Sequence, residues 1–253
     1  MQKMKLKFND LFSDNSEAYK QFRPTYPQEL FAYLSSISKH HQTAWDCATG
    51  TGQSAVSLSN YYSKIIATDA SASQIKNAEK KQGVVYQIAT AENSHIDTGS
   101  IDLITVAQAF HWFNVDEFAE EVNRVLKDNG IIAIWTYNLL SIRENLDKEI
   151  IYLYKTILGE HWPEERKMVE KGYKNVQLPF TEIKAPSFNL SAHWNLSQLI
   201  GYLCTWSATK KYKEKFGTNP VEEVYNNIAD AWGDPENVLQ IKWLLSIKVW
   251  KKT

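Results

Sequence analysis

The 253-residue sequence predicts a doubly wound α/β fold, a mostly parallel sheet with helices on both faces. Three observations predict it. Short apolar runs alternate with helical patterns five times within the first 140 residues. A glycine-bearing turn, GTG at 50–52, directly follows the first run. Acids stand at the ends of the first two runs, Asp46 and Asp69. Sheets of this kind bind ligands outside the carboxyl ends of their strands.

The elements follow in order. TAWDCA at 43–48 reads as the first strand, and QSAVSLSNYY as the helix after it. KIIATD, ending at Asp69, is the second strand, followed by a helix in SASQIKNAEKK. VVYQIA at 84–89 is the third strand and IDLITVAQ at 101–108 the fourth. The helix DEFAEEVNRVL leads through the turn KDNG into the fifth strand, GIIAIWTY at 130–137. Beyond residue 140 the pattern changes. Residues 142–175 look helical and FTEIKAPSF looks extended. NLSQLIGYLCTWSA and PVEEVYNNIADAW look like amphipathic helices, and LQIKWLLSIKVWKK at 239–252 alternates as a terminal strand. Trp162, Trp194, Trp206 and Trp232 fall in this half, and no repeat or low-complexity linker divides the chain.

Composition narrows the function classes. A 43% hydrophobic fraction supports a full core, and a formal charge of -1 gives no general pull toward nucleic acid or membrane. Basic runs such as TKKYKEK at 209–215 are short and read as solvated helix faces. Cys47 and Cys204 have no metal-ligand spacing and no disulfide pattern. The first fourteen residues carry charges without the apolar region of a secretory signal, so a soluble, cytoplasmic protein is the expectation.

Glycines between strand and helix let a ligand approach the backbone, since no Cβ stands in the way. Dinucleotides use such turns for their pyrophosphate, and GTGQSA at 50–55 fits the loose pattern G-x-G-x-x-G/A. S-adenosylmethionine (SAM) instead places its methionine part and ribose there. Asp46, just ahead of the glycines, would crowd a pyrophosphate but suits a ligand carrying an ammonium group and a sulfonium. Asp69, seventeen residues past Gly52, can accept ribose hydroxyls in either case. It can also serve as a cap for the next helix.

Asp46-Cys47-Ala48-Thr49-Gly50-Thr51-Gly52-Gln53 resembles the first motif of class I SAM-dependent methyltransferases, D/E-x-G-x-G-x-G, with Ala48 where that family commonly has glycine. ATDAS, ATAEN at 89–93, SIDLITVAQAFHWF and VNRVLKDNGIIAIW resemble its later segments in the expected order. YKQFRPTYP at 19–27, AQAFHWF and GYLCTWSA are similar to a small-molecule branch that includes trans-aconitate methyltransferase. The resemblance implies a seven-stranded Rossmann-like sheet with an antiparallel terminal strand and helical lid additions. On this reading the chain is one domain. An N-terminal lid segment spans 1–30 and a SAM-binding core 31–140. Helical substrate-side additions with a sixth strand span 141–235, and the terminal strand 236–253.

It also implies a set of site residues. Tyr19, Arg23, Asp46, Ala48, Thr49, Gly50, Gly52, Gln53, Asp69, Ala70, Ser71 and Gln74 are expected around the cofactor. Ala91, Glu92, Gln108, Ala109 and Phe110 are expected on its adenine and methionine sides. Glu92 can equally be a solvated loop acid. Tyr26, Trp112, Trp135, Tyr137 and Trp206 are expected toward the acceptor. His111, at a strand's carboxyl end, is the candidate catalytic base, or else part of an aromatic wall with Trp112.

The expected cofactor is SAM, with no metal, and the expected partner is a small-molecule acceptor rather than nucleic acid or membrane. A carboxylate oxygen of a small acid is the expected acceptor atom, with Arg23 or a neighbour holding its charge. Two alternatives stay open: an NAD(P)-dependent oxidoreductase on a similar sheet, and a SAM-binding protein without transfer activity.

Overall fold

A computed structural model describes residues 23–253. Tyr19, expected beside the cofactor, lies outside the described residues. The described chain forms two compact units. One contains residues 26–138, 165–190 and 244–253, and the other residues 23–25, 139–164 and 191–243.

The first unit holds most of the sheet. Helix α1 (Gln28–Ile37) buries Leu30, Phe31 and Leu34 ahead of strand β1 (Thr43–Cys47). Then come α2 (Gln53–Leu58), β2 (Lys64–Asp69), α3 (Ala72–Lys76) and β3 (Val84–Ile88). β4 (Ile101–Ala107), α4 (Val115–Val125) and β5 (Leu126–Tyr137) follow. β6 (Thr181–Ile183) precedes β7 (Phe188–Trp194), and β8 (Leu239–Lys251) ends the chain. The order β3-β2-β1-β4-β5-β8-β6 places β1 and β4 centrally, parallel to each other and to their neighbours. β8 runs antiparallel to β5, Ile131 opposite Lys251 and Tyr137 opposite Leu245. The doubly wound sheet with an antiparallel terminal strand is therefore present, and β7 brings the sheet to eight strands rather than seven.

Burial explains the pattern that made these strands legible. β1, β4 and the second half of β5 are buried almost without interruption, as a sheet covered on both faces requires. At the strands' amino ends Asp102 fixes the register. Its Oδ2 accepts the Gln42 and Thr43 N–H groups at 2.8 and 2.9 Å, and its Oδ1 meets Lys127 Nζ at 2.7 Å.

Several boundaries differ from the sequence expectation for local reasons. α2 stops at Leu58 because Ser57 and Ser59 donate their hydroxyls to carbonyls within their own turns. KDNG is not a separate turn. The strand runs through it from Leu126 as a bulge, with Asn129 at φ +64° and the β4 register shifted there. The helical stretch expected over 142–175 is broken into α5 (Glu144–Tyr152), a π turn (Leu153–Ile157), a 3-10 turn (Gly159–His161) and α6 (Arg166–Glu170). Pro163 holds Trp162 extended and so stops it.

The second unit packs α5 with α7 (Leu196–Cys204), α8 (Ser207–Phe216) and α9 (Val221–Trp232). Its core is aromatic. Trp194, Tyr202 and Trp243 have ring centroids 5.2–5.6 Å apart. Among the described residues no helix is long and apolar enough to cross a membrane.

Candidate functional site

The glycine turn leaves the carboxyl end of β1, and Asp46 organises it from beneath. Asp46 is 1% exposed. Its Oδ2 accepts from the Thr49 hydroxyl at 2.5 Å and its Oδ1 from the Thr105 hydroxyl at 2.8 Å. Burial pushes its carboxyl up to about 6, opposed by those hydroxyls and the Ala55 N–H. Asp46 is thus built into the turn, and its charge reaches a ligand through the field rather than by the hydrogen bonds it already makes.

Three alternating residues of the turn are left-handed: Ala48 at φ +53°, Gly50 at +57° and Gly52 at +89°. An alanine there costs about 1–2 kcal/mol. Ala48→Gly relieves that strain but loosens the unfolded chain by about 0.4–1 kcal/mol. A net gain of up to about 1 kcal/mol is expected, raising the melting temperature by ~1–4 °C. A scanning-calorimetry melt checks it, and an unchanged or lower midpoint would count against strain at Ala48.

The two glycines do different work. A Cβ on Gly52 would meet the Tyr86 hydroxyl at 2.1 Å, so Gly52 is bare to admit Tyr86. A Cβ on Gly50 would meet nothing closer than Gln74 Oε1 at 3.9 Å. The space over Gly50 is open. Asp69, at the end of β2, faces the same turn. Its Oδ2 accepts the Gly50 N–H and its Oδ1 the Ser71 N–H, each at 2.8 Å. A carboxylate has about four lone-pair positions, so two remain for hydroxyl donors. Ser71 also caps α3 through its hydroxyl, which accepts from the Gln74 N–H. Gln53 and Ala70 adjoin this cradle in the chain. Glu92, of the segment expected near adenine, accepts the Asn114 N–H at 3.0 Å, one residue before α4. Ala91 is packed into the core.

At the carboxyl end of β4 the backbone turns sharply, with Gln108 at φ +60° and its N–H on the Trp135 carbonyl. Ala109 and a 3-10 turn, Phe110–Trp112, follow. The Phe110 ring is buried against Phe118 and Tyr173 and belongs to the core. His111 Nδ1 lies 3.0 Å from the Tyr173 hydroxyl. Burial and the positive charge of Arg166 push its pKa down to about 4, against the pull of Glu165, so the ring is neutral at neutral pH. Trp112 is 57% exposed and leans on the His111 ring.

The remaining expected residues separate. Tyr26 packs edge-on against Trp135 and beside Tyr137. Trp135 is fully buried, and its Nε1 has no hydrogen-bond partner among the described residues. Arg23 and Trp206 belong to the helical unit. There the Arg23 guanidinium lies 5.5 Å from the Tyr202 ring and its Nη2 reaches the Thr205 carbonyl at 3.5 Å. Trp206 packs against Tyr154, Trp162 and Tyr202.

Sequence reasoning missed Tyr86, Thr136 and Tyr173. Tyr86 stands in a strand that reads as ordinary alternation. Thr136 and Tyr173 are distant in the chain from the residues they touch. It also missed Glu121, which accepts from Arg124 and from the Ser94 N–H and hydroxyl and so anchors the loop that carries Glu92.

A family model described as a methyltransferase domain matches residues 45–134. The chain is 35% identical over 230 residues to a Dictyostelium discoideum protein provisionally classed as a methyltransferase, spanning 89% of this chain and 88% of that one. It is 28% identical over 134 residues to CRG1 of Saccharomyces cerevisiae, a provisionally assigned SAM-dependent methyltransferase, over 48% of this chain and 45% of that one. A solved structure from Anaeromyxobacter dehalogenans, provisionally a type II methyltransferase, is similar at TM-score 0.85 and 34% identity. It covers 91% of this chain and 98% of its own.

Proposed function

The chain belongs to the class I SAM-dependent methyltransferases, and on that premise we propose that it transfers a methyl group from SAM to a small-molecule acceptor. One observation carries the reading: the open space over Gly50, faced by the Asp69 carboxylate at the carboxyl edge of the central strands. The residues fit the cofactor. Gly50 admits a ligand to the backbone, Asp69 has lone pairs for two ribose hydroxyls, and the buried Asp46 charge favours a cationic methionine end. Bound there, SAM supplies an electrophilic methyl group on a sulfonium that leaves as a neutral thioether.

The protein's own part is alignment, exclusion of water and, where needed, removal of a proton. Holding the reactants in line can supply ~7–11 kcal/mol. A carboxylate acceptor needs no base, whereas a hydroxyl acceptor does. Arg23, expected to hold a carboxylate, is engaged with Tyr202 and Thr205. The choice of acceptor therefore turns on His111. A small metabolite, rather than nucleic acid, is the acceptor that the near-neutral composition fits.

Calorimetric titration with SAM and S-adenosylhomocysteine tests the reading. Asp69→Ala is expected to weaken both, since two ribose hydroxyls lose a charged acceptor at ~1.5–3 kcal/mol apiece. Unchanged affinity in a folded variant removes Asp69 from the site. No binding to the parent protein removes the reading itself.

A further inference from the structure

Three successive residues of the glycine turn are tied to β2 or to the segment that follows it. The Thr49 N–H donates to the Thr68 carbonyl at 2.8 Å, and the Gly50 N–H to Asp69 Oδ2 at 2.8 Å. The Thr51 carbonyl accepts the Glu79 N–H at 3.0 Å. The chain over 69–79 therefore leaves the turn at one end, carries α3, and returns to the turn at the other. Its outgoing end is fixed by Asp69, whose Oδ1 also takes the Ser71 N–H. Its returning end is fixed from another strand. The Tyr86 hydroxyl donates to the Glu79 carbonyl at 2.7 Å, on the same residue whose N–H reaches Thr51.

The sheet register explains how Tyr86 gets there. Tyr86 lies opposite Ala67 in β2, and Ala67 lies opposite Asp46 in β1. Residues of one such row point to the same face, so Tyr86 stands on the face that carries Asp46 beneath the turn. Between them is an alanine, which leaves a ring room to reach toward β1. Gly52 supplies the rest of the space, since a Cβ there would overlap the Tyr86 hydroxyl and sit 2.9 Å from its ring carbon Cζ. Burial, with the Asp46 and Glu79 charges, pushes the phenol up to about 12, so the hydroxyl keeps its hydrogen at neutral pH. All these residues belong to the first unit.

From this arrangement we infer that Tyr86 is a positioning residue for the cofactor: its hydroxyl pins the 69–79 arch to the glycine turn and so sets the spacing between Gly50 and Asp69. The inference rests on the methyl-transfer reading and deepens it, because Tyr86 acts through the two groups proposed to hold the cofactor. Their spacing matters, since a ribose must meet the Asp69 carboxylate while the same ligand lies over the Gly50 backbone.

Tyr86→Phe keeps the ring under Gly52 and removes only the hydroxyl. Calorimetric titration should show SAM and S-adenosylhomocysteine weakened by about 2–12-fold, the worth of one net hydrogen bond. The two ligands should weaken alike, because the turn and the ribose site serve both. In amide hydrogen exchange without ligand, Glu79 should lose protection while the β1 and β4 amides keep theirs, which marks a local release. A double-mutant cycle adds a readout that general destabilisation would not move. In an Asp69→Ala background, Tyr86→Phe should cost little further affinity. Glu79→Pro removes the N–H given to Thr51 and reaches the same tie from its other side. It should weaken both ligands, and it decides the matter if Tyr86→Phe does not fold. Unchanged affinity in the folded variant, undiminished Glu79 protection, or additive effects with Asp69→Ala overturns the inference. A parent that binds neither ligand refutes the methyl-transfer reading itself, whereas a binding parent indifferent to Tyr86→Phe overturns only the role of Tyr86.

Discussion

Gly50→Val is expected to abolish binding of SAM and S-adenosylhomocysteine while the sheet still forms. The added side chain enters the open space over the turn, where the Cβ alone has no protein atom nearer than 3.9 Å. Two costs combine. Overlap with a ligand there is worth ~1–3 kcal/mol, and a left-handed conformation costs a non-glycine residue ~1–2 kcal/mol. The first predicts a loss of ~5–150-fold or more in affinity, and the second falls on the stability of the folded turn. The backbone cost is separable, because the same turn already carries Ala48 at φ +53°. Gly50→Ala should therefore fold and bind weakly, isolating the steric part. Gly52→Ala is the contrasting case. Its Cβ would strike the Tyr86 hydroxyl, so the thermal melt should fall even without ligand. Calorimetry and a melt on the three variants separate the roles. A Gly50→Val protein that melts normally and binds SAM as the parent does would rule out close approach at Gly50.

The contrast between these glycines shows where sequence reading reaches and where it stops. Strand, turn and strand-end acid are local patterns, so β1, the glycine turn and Asp69 are legible from a few adjacent residues. The alternation of strand and helix likewise implies the parallel sheet, and the family resemblance its antiparallel last strand. What each glycine makes room for depends on side chains from other elements. Tyr86 comes from β3, and no spacing rule connects it to Gly52. Asp46 reads as a ligand-facing acid, yet Thr49 and Thr105 already occupy its oxygens. The π and 3-10 turns after α5 were hidden for a related reason. Their helical periodicity is real, but Pro163 interrupts it, and the Trp162 indole N–H donates to the Tyr154 carbonyl at 3.0 Å. His111 was visible as a lone histidine at a strand end. Its hydrogen-bond partner was not, since Tyr173 stands 62 residues away.

A histidine in this place has a kinetic consequence. With a hydroxyl acceptor, His111→Gln is expected to lower the transfer rate by ~10²–10⁴-fold, the usual worth of a positioned base. SAM affinity should change little, because none of the hydrogen bonds that shape the Gly50 and Asp69 cradle involves His111. The pH profile carries a second signature. His111 accepts a proton only when neutral. From the ordinary imidazole value alone, activity would fall as pH drops through the region near 6.5. Burial and Arg166 lower that value to about 4, with Glu165 opposing, and the adjoining Tyr173 phenol is itself raised by burial. The parent rate should therefore stay level, as far as His111 is concerned, from neutral pH down to about 5 and decline only around 4. Rates against pH for the parent and His111→Gln, with the acceptor found by labelling, decide the matter. If His111→Gln turns over at the parent rate, the histidine is a wall residue. The acceptor must then arrive already ionised, as a carboxylate does.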